Sequence, residues 1–85
     1  MKLFKLSQTE NSGWDTFDSL IVTAETEEDA RNIHPQEYWD DPSEIEWGEP
    51  YGTWCSSPDS VEVEYLGEAK EGTERGIILA SFNAG

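Results

Sequence analysis

The 85-residue sequence predicts an α+β domain: a small antiparallel sheet of about four strands in the order β-β-α-loop-β-β, with one short helix and a long aromatic-rich loop. Three observations carry the expectation. Four short stretches have strand character, at 2–8, 19–24, 61–66 and 77–82. A single stretch, 26–33, has the chemistry of a helix start. Residues 36–60 hold no sustained period of either kind and are rich in proline and aromatic rings.

In chain order, 2–8 alternates, with Phe4 and Leu6 on one face and Leu3 and Lys5 on the other. Glu10-Asn11-Ser12-Gly13 breaks the pattern. The β-branched run Ser19 to Ala24 then reads as a second strand, paired antiparallel with the first. Thr26 suits an N-cap, Glu27, Glu28 and Asp29 suit the positive end of the helix dipole, and Ala30 and Ile33 sit three apart for burial. A helix of two turns or slightly more follows, ended by His34-Pro35, because the residue before proline is pushed out of the α region. Val61, Val63 and Tyr65 alternate with Glu62 and Glu64, which directs the three apolar residues to the core, and Gly67 ends or bulges that strand. After a polar connection with two glycines, Ile77 to Phe82 reads as a buried last strand. The core drawn from this pattern is Phe4, Leu6, Leu20, Val22, Ile33, Val63, Tyr65, Ile77, Leu79 and Phe82. A chain of this length has room for one such core, so 1–85 is one domain, and no internal repeat divides it.

Nineteen acids against five bases give a net charge of −14, which argues against direct binding of nucleic acid or of an anionic membrane surface. The N-terminus has two lysines but no apolar segment of signal-peptide type, and no run approaches membrane-span length, so the expected compartment is the cytoplasm. Cys55 is the only cysteine and cannot form an intrachain disulfide.

The chemistry-bearing residue types do not assemble into a catalytic pattern, and the expectation is a protein that is not an enzyme and takes no cofactor. Cys55 with His34 as base lacks any local signature of a thiol enzyme. The acids of 40–46 invite a divalent cation, but the alternating acids and central glycine of a calcium loop are missing. One Cys and one His do not close a zinc site. Pairs of carboxylates carry no information when nineteen are available, and there is no G-x-S-x-G or glycine-rich phosphate loop.

Binding is better supported. Ten of the nineteen acids lie between Glu25 and Glu49, where Arg31 is the only base. Three tryptophans fall within sixteen residues of the central loop, more than one thin core easily absorbs. Aromatic rings anchor protein interfaces and surrounding charge speeds encounter, which points to a basic surface on another protein as partner. The candidate binding residues are the helix acids Glu27, Glu28 and Asp29, the loop acids Asp40, Asp41, Glu44 and Glu46, and the rings Trp47, Tyr51 and Trp54. The rings are expected to divide, at least one packed on the sheet and at least one exposed beside the loop acids. Spread evenly, the charge is too dilute to pass for DNA by about threefold, so mimicry of a duplex requires the acids of 25–49 to gather on one side. A second class of reading has the aromatic loop sequestering a small planar ligand such as a nucleotide, although few cations are present to meet its phosphates.

The opening KLFKLSQTENSGWDTFDSLIVTAETEEDARNIHP and the closing SVEVEYLGEAKEGTERGIILASFNAG resemble small proteins encoded in bacteriophage and prophage genomes. The likeness covers both ends of the chain and lapses in the middle loop. It implies membership of the pool from which inhibitors of host defence are drawn, anti-CRISPR and anti-restriction proteins among them, or else a phage accessory protein whose acidity serves solubility. It assigns no residue a role.

Overall fold

The computed structural model describes residues 1–11, 13, 15–38, 40–48 and 52–83. Its element order is β1 (Lys2–Ser7), β2 (Thr16–Ala24), α1 (Glu27–Arg31), three 3-10 turns at Pro35–Tyr38, Pro42–Glu44 and Pro58–Ser60, β3 (Glu62–Glu68) and β4 (Gly76–Asn83). The expected α+β architecture is present: one antiparallel four-stranded sheet with one short helix.

The sheet order is β3-β1-β2-β4. β1 and β2 pair from Lys2↔Ala24 to Ser7↔Ser19, which sets Phe4 and Leu6 beside Val22 and Leu20 on the covered face. β3 joins the free side of β1 and β4 the free side of β2. The last two strands therefore occupy opposite edges. The connection 69–75 must pass three strand spacings, about 14 Å, which seven residues span easily. It runs past the Lys2/Ala24 end of the sheet, where Ala69 donates to the Met1 carbonyl and the buried Thr23 hydroxyl donates to the Glu74 carbonyl. Gly67, at φ +139, sits beside the register shift opposite Leu3/Phe4 and bulges β3 without ending it.

The helix starts as its sequence requires, with the Thr26 hydroxyl accepting from the Asp29 N–H at 3.1 Å. It is shorter than expected, five residues instead of two turns. Asn32 and Ile33 donate to carbonyls three residues back, tightening the last turn, and Pro35 opens a 3-10 turn. Ala30 and Ile33 are fully buried against the sheet.

So short a helix leaves most of the covered face open, and the return of the central segment closes it. Trp54, Cys55 and Val61 join Phe4, Leu6, Phe17, Leu20, Val22, Ala24, Ala30 and Ile33 in one buried cluster. Three residues expected in the core are not there. Tyr65, Leu79 and Phe82 are exposed by 55%, 63% and 44%, and Val63 and Ile77 are only partly buried. The reason is topological: β3 and β4 are edge strands, which leaves Tyr65 and Phe82 at the margin of the covered face, while the irregularity at Ile78 sets Leu79 opposite Ile21, and so beside Lys5, on the uncovered face. Tyr65 and Phe82 still touch the core rim, their rings 5.8 Å from Phe4 and 4.8 Å from Phe17. The last strand is accordingly an exposed edge rather than a buried one.

Trp54→Ala should cost about 3–5 kcal/mol, a large fraction of the stability of so small a domain, while Leu79→Ala should stay within about 0.5 kcal/mol. Urea unfolding of the two variants at low protein concentration measures both values.

Candidate functional site

The segment 52–57 is held by the β1–β2 connection. Gln8, buried at the end of β1, donates from Nε2 to the Asn11 and Phe17 carbonyls and accepts the Asn11 N–H at 2.7 Å. Asn11 so fixed donates from Nδ2 to the carbonyls of Gly52, at 2.7 Å, and Trp54, at 3.0 Å. Phe17 N–H donates to the Thr53 carbonyl at 2.9 Å. The Glu10 carboxylate accepts the Ser56 hydroxyl and N–H, bonds that hold its pKa below the ordinary carboxylate value. Nothing in the spacing of Glu10 and Asn11 signals this role. Their partners lie more than forty residues on.

The far end of the segment is pinned by the helix. Arg31 donates to the Val61 carbonyl at 2.8 Å and to that of Pro58 at 3.3 Å. Arg75 bonds Asp29 at 2.8 Å and reaches Glu37 at 3.4 Å, the ion pairs found among the described residues. Asp29 is therefore engaged within the fold, which removes it from the freely presented acids. Glu37 also accepts the His34 N–H.

The presented acids precede this anchored segment in the chain, on α1 and in 40–46. Glu27 and Glu28 are exposed on α1, with Glu28 Oε1 3.4 Å from Asn32 Nδ2. Asp40, Asp41, Glu44 and Glu46 are exposed as well. Asp41 caps the turn Pro42–Glu44, accepting the Ser43 N–H at 2.9 Å and the Ser43 hydroxyl at 2.8 Å, which holds its carboxyl below the usual range. Asp40, Glu44 and Glu46 converge on a cleft of about 190 Å³, whose other lining residues include Gln36, Ile45 and Thr53. The structure thus brings three of the four loop acids around one concavity.

The rings separate. Trp54 is 3% exposed and belongs to the core, which corrects its place among the binding residues: the short helix leaves space over the sheet that only a large side chain fills. Trp47 is half-buried, packed against the core margin with its ring edge-on to His34 at 4.9 Å. Tyr51 lies outside the described residues. Thr53 Oγ1 and Trp54 Nε1 are buried without a hydrogen-bond partner among the described residues.

Cys55 and His34 do not form a dyad. The Cys55 thiol is buried and donates to the Ser57 carbonyl, and burial pushes its pKa up, the reverse of what a nucleophile needs. His34 Nδ1 accepts the Gln36 N–H at 3.1 Å. Among the described residues no group of three or more His, Cys, Asp or Glu side chains is placed to hold a metal ion. No helix among them is long and apolar enough to cross a membrane. No protein-family model, curated protein or solved structure matches the chain.

His34 couples this region to pH. Burial lowers its pKa from 6.5 to about 4. Between those values the unfolded chain binds the proton and the folded chain does not, so His34's contribution to stability is complete above pH 6.5 and lost as pH falls toward 4. The loss is on the order of 3 kcal/mol. His34→Gln, which keeps an acceptor for the Gln36 N–H, should show a flatter stability curve than the wild type between pH 6.5 and 4. Urea midpoints across that range test it.

Proposed function

We propose that this chain is a non-enzymatic binding protein that occupies a basic surface of another protein, using the acids of its central segment as the electrostatic contact and Trp47 as the ring beside them. The observation that carries the reading is the imbalance between acids and their partners. Arg75 supplies both ion pairs among the described residues, and Arg31 is spent on backbone carbonyls. Among the described residues, Asp40, Glu44 and Glu46 therefore line their cleft with no cation beside them, an arrangement that repels itself in the free protein and is relieved when a partner brings lysine or arginine.

The class of partner follows from the same charges. A surface built to hold nucleic acid is the commonest concentrated source of lysine and arginine, and a competitor for it needs acids without needing a duplex's charge density. Over 5347 Å² of surface the 14 net charges amount to about 380 Å² each, against roughly 110 Å² for a duplex, so the reading rests on the local cluster and not on mimicry by the whole molecule. The resemblance to small phage proteins points the same way, toward an inhibitor of a host defence or nucleic-acid-handling protein acting in the cytoplasm. Sequestration of a nucleotide is disfavoured by the acids lining the cleft, which repel phosphate.

Immobilised protein should retain basic, nucleic-acid-binding proteins from a bacterial lysate at 0.1 M salt and release them by 0.5 M, as screening of exposed charge requires. A captured protein, purified, should lose its nucleic acid when the chain is added. The triple variant Asp40→Asn, Glu44→Gln, Glu46→Gln should bind it at least tenfold more weakly with an unchanged or raised melting temperature. Retention of no basic protein, or undiminished binding by the triple variant, would refute the reading.

A further inference from the structure

The two edges of the sheet are treated differently. Along β3 the exposed acids Glu62, Glu64 and Glu68 and the bulge at Gly67 are the devices by which proteins keep an edge strand from pairing with another chain. β4 carries no charged residue at all, and the stretch 76–85 is the longest uncharged run in a chain of net charge −14. Its exposed residues include Ile78 at 53%, Leu79 at 63% and Phe82 at 44%. The β2–β4 ladder has two irregularities: Ile78 is the extra β4 residue between the pairs Val22↔Ile77 and Ile21↔Leu79, and Asp18 is the extra residue on the β2 side between Phe17↔Phe82 and Ser19↔Ser81, where β4 itself is continuous. Beyond Ile78 the strand runs on from Leu79 to Asn83. The turn Pro35–Tyr38 is tied to the other end, through Glu37 and Arg75.

We propose that β4 is the interface of a homodimer, in which Leu79–Asn83 of two copies pair antiparallel about a two-fold axis at Ser81 to give one eight-stranded sheet. This goes beyond the binding reading and uses a different surface. Charge selects the occupant. A basic partner gains nothing from an uncharged edge, whereas a second copy meets here the one edge strand on which it opposes no acid with an acid. The strand is also complementary to itself: centring on Ser81 sets Phe82 opposite Ala80 of the second copy on the covered face, a large residue over a small one, and Leu79 opposite Asn83 on the other. Phe82, left at the core rim by the monomer, is then covered from its open side.

The area is adequate for a modest interface. Taking about 200 Å² for a fully exposed side chain of this size, Ile78, Leu79 and Phe82 present about 300 Å² of apolar surface per copy, and with the strand's backbone and smaller side chains the pair approaches 1,000 Å² in total, the lower end for specific association. The acids on β3 end the assembly at two copies. A net charge of −14 on each copy repels, so dimerisation should strengthen as salt rises, the opposite of the response expected for binding to a basic partner.

Sedimentation velocity of the purified chain from 10 to 500 µM, at 0.05 M and 0.5 M sodium chloride, should show a shift from 9.6 kDa toward twice that mass with concentration, and at least a threefold lower dissociation constant at the higher salt. Leu79→Lys and, separately, Ile78→Lys should remain monomeric with unchanged circular dichroism. Ser81→Cys should cross-link to a covalent dimer under mild oxidation, Cys55 being buried, whereas Glu64→Cys on the other edge should not. Monomer at every concentration and salt, or a dimer unaffected by both lysine variants, would overturn the proposal; neither result bears on the acidic cleft.

Discussion

The burial of Trp54 is the interaction on which the rest of this structure depends. A four-stranded sheet with one covered face needs more apolar cover than a five-residue helix can supply, since α1 contributes only Ala30 from within its span and Ile33 just beyond it. The chain supplies the remainder from a segment with no helix or strand period, and such a segment stays in place only if its backbone groups are satisfied. The side chains of Gln8, Glu10 and Asn11 do this from one side and Arg31 from the other. An irregular stretch is thereby converted into part of the core at one end while its middle remains outside.

That division explains how a weakly stabilised domain can carry so much negative charge. The bases that face the central segment are used internally: Arg31 fastens its end to the helix, and Arg75 joins α1 to the turn that follows it through Asp29 and Glu37. Exposed ion pairs of this kind add little stability by themselves, but here they fix geometry around backbone groups that would otherwise be loose. Asp40, Glu44 and Glu46, which have no ion pair among the described residues, line the cleft. Self-repulsion there is tolerated because those side chains remain in water, where charges interact weakly.

The architecture was legible in the sequence because its signals are local. Alternation in 2–8 and 61–66, the Thr26 cap with its following acids, and the His34-Pro35 stop each determine an element within a few residues. The exposure of β4 was not legible: an apolar run such as Ile77 to Phe82 looks the same in a central strand and at an edge, and only the order β3-β1-β2-β4 and the irregularity at Ile78, which turns Leu79 to the uncovered face, decide. Phe17 escaped the expected core because β2 begins three residues before its β-branched run. The site was partly legible. The charge asymmetry of 25–49 located the loop acids, but that Asp29 is spent on Arg75 and Trp54 on the core follows from contacts between residues more than twenty positions apart.

The central claim, that the return segment is an integral part of the fold, is tested most directly by hydrogen exchange at the Phe17 amide, whose N–H bonds the Thr53 carbonyl. If the segment and sheet form one cooperative unit, Phe17 exchanges only by global unfolding, with the same opening free energy as the Val22 and Leu6 amides at the sheet centre. Exchange at Phe17 through an opening at least about 2 kcal/mol less costly, while Val22 and Leu6 stay fully protected, would show a segment that detaches from an intact sheet and would contradict the account.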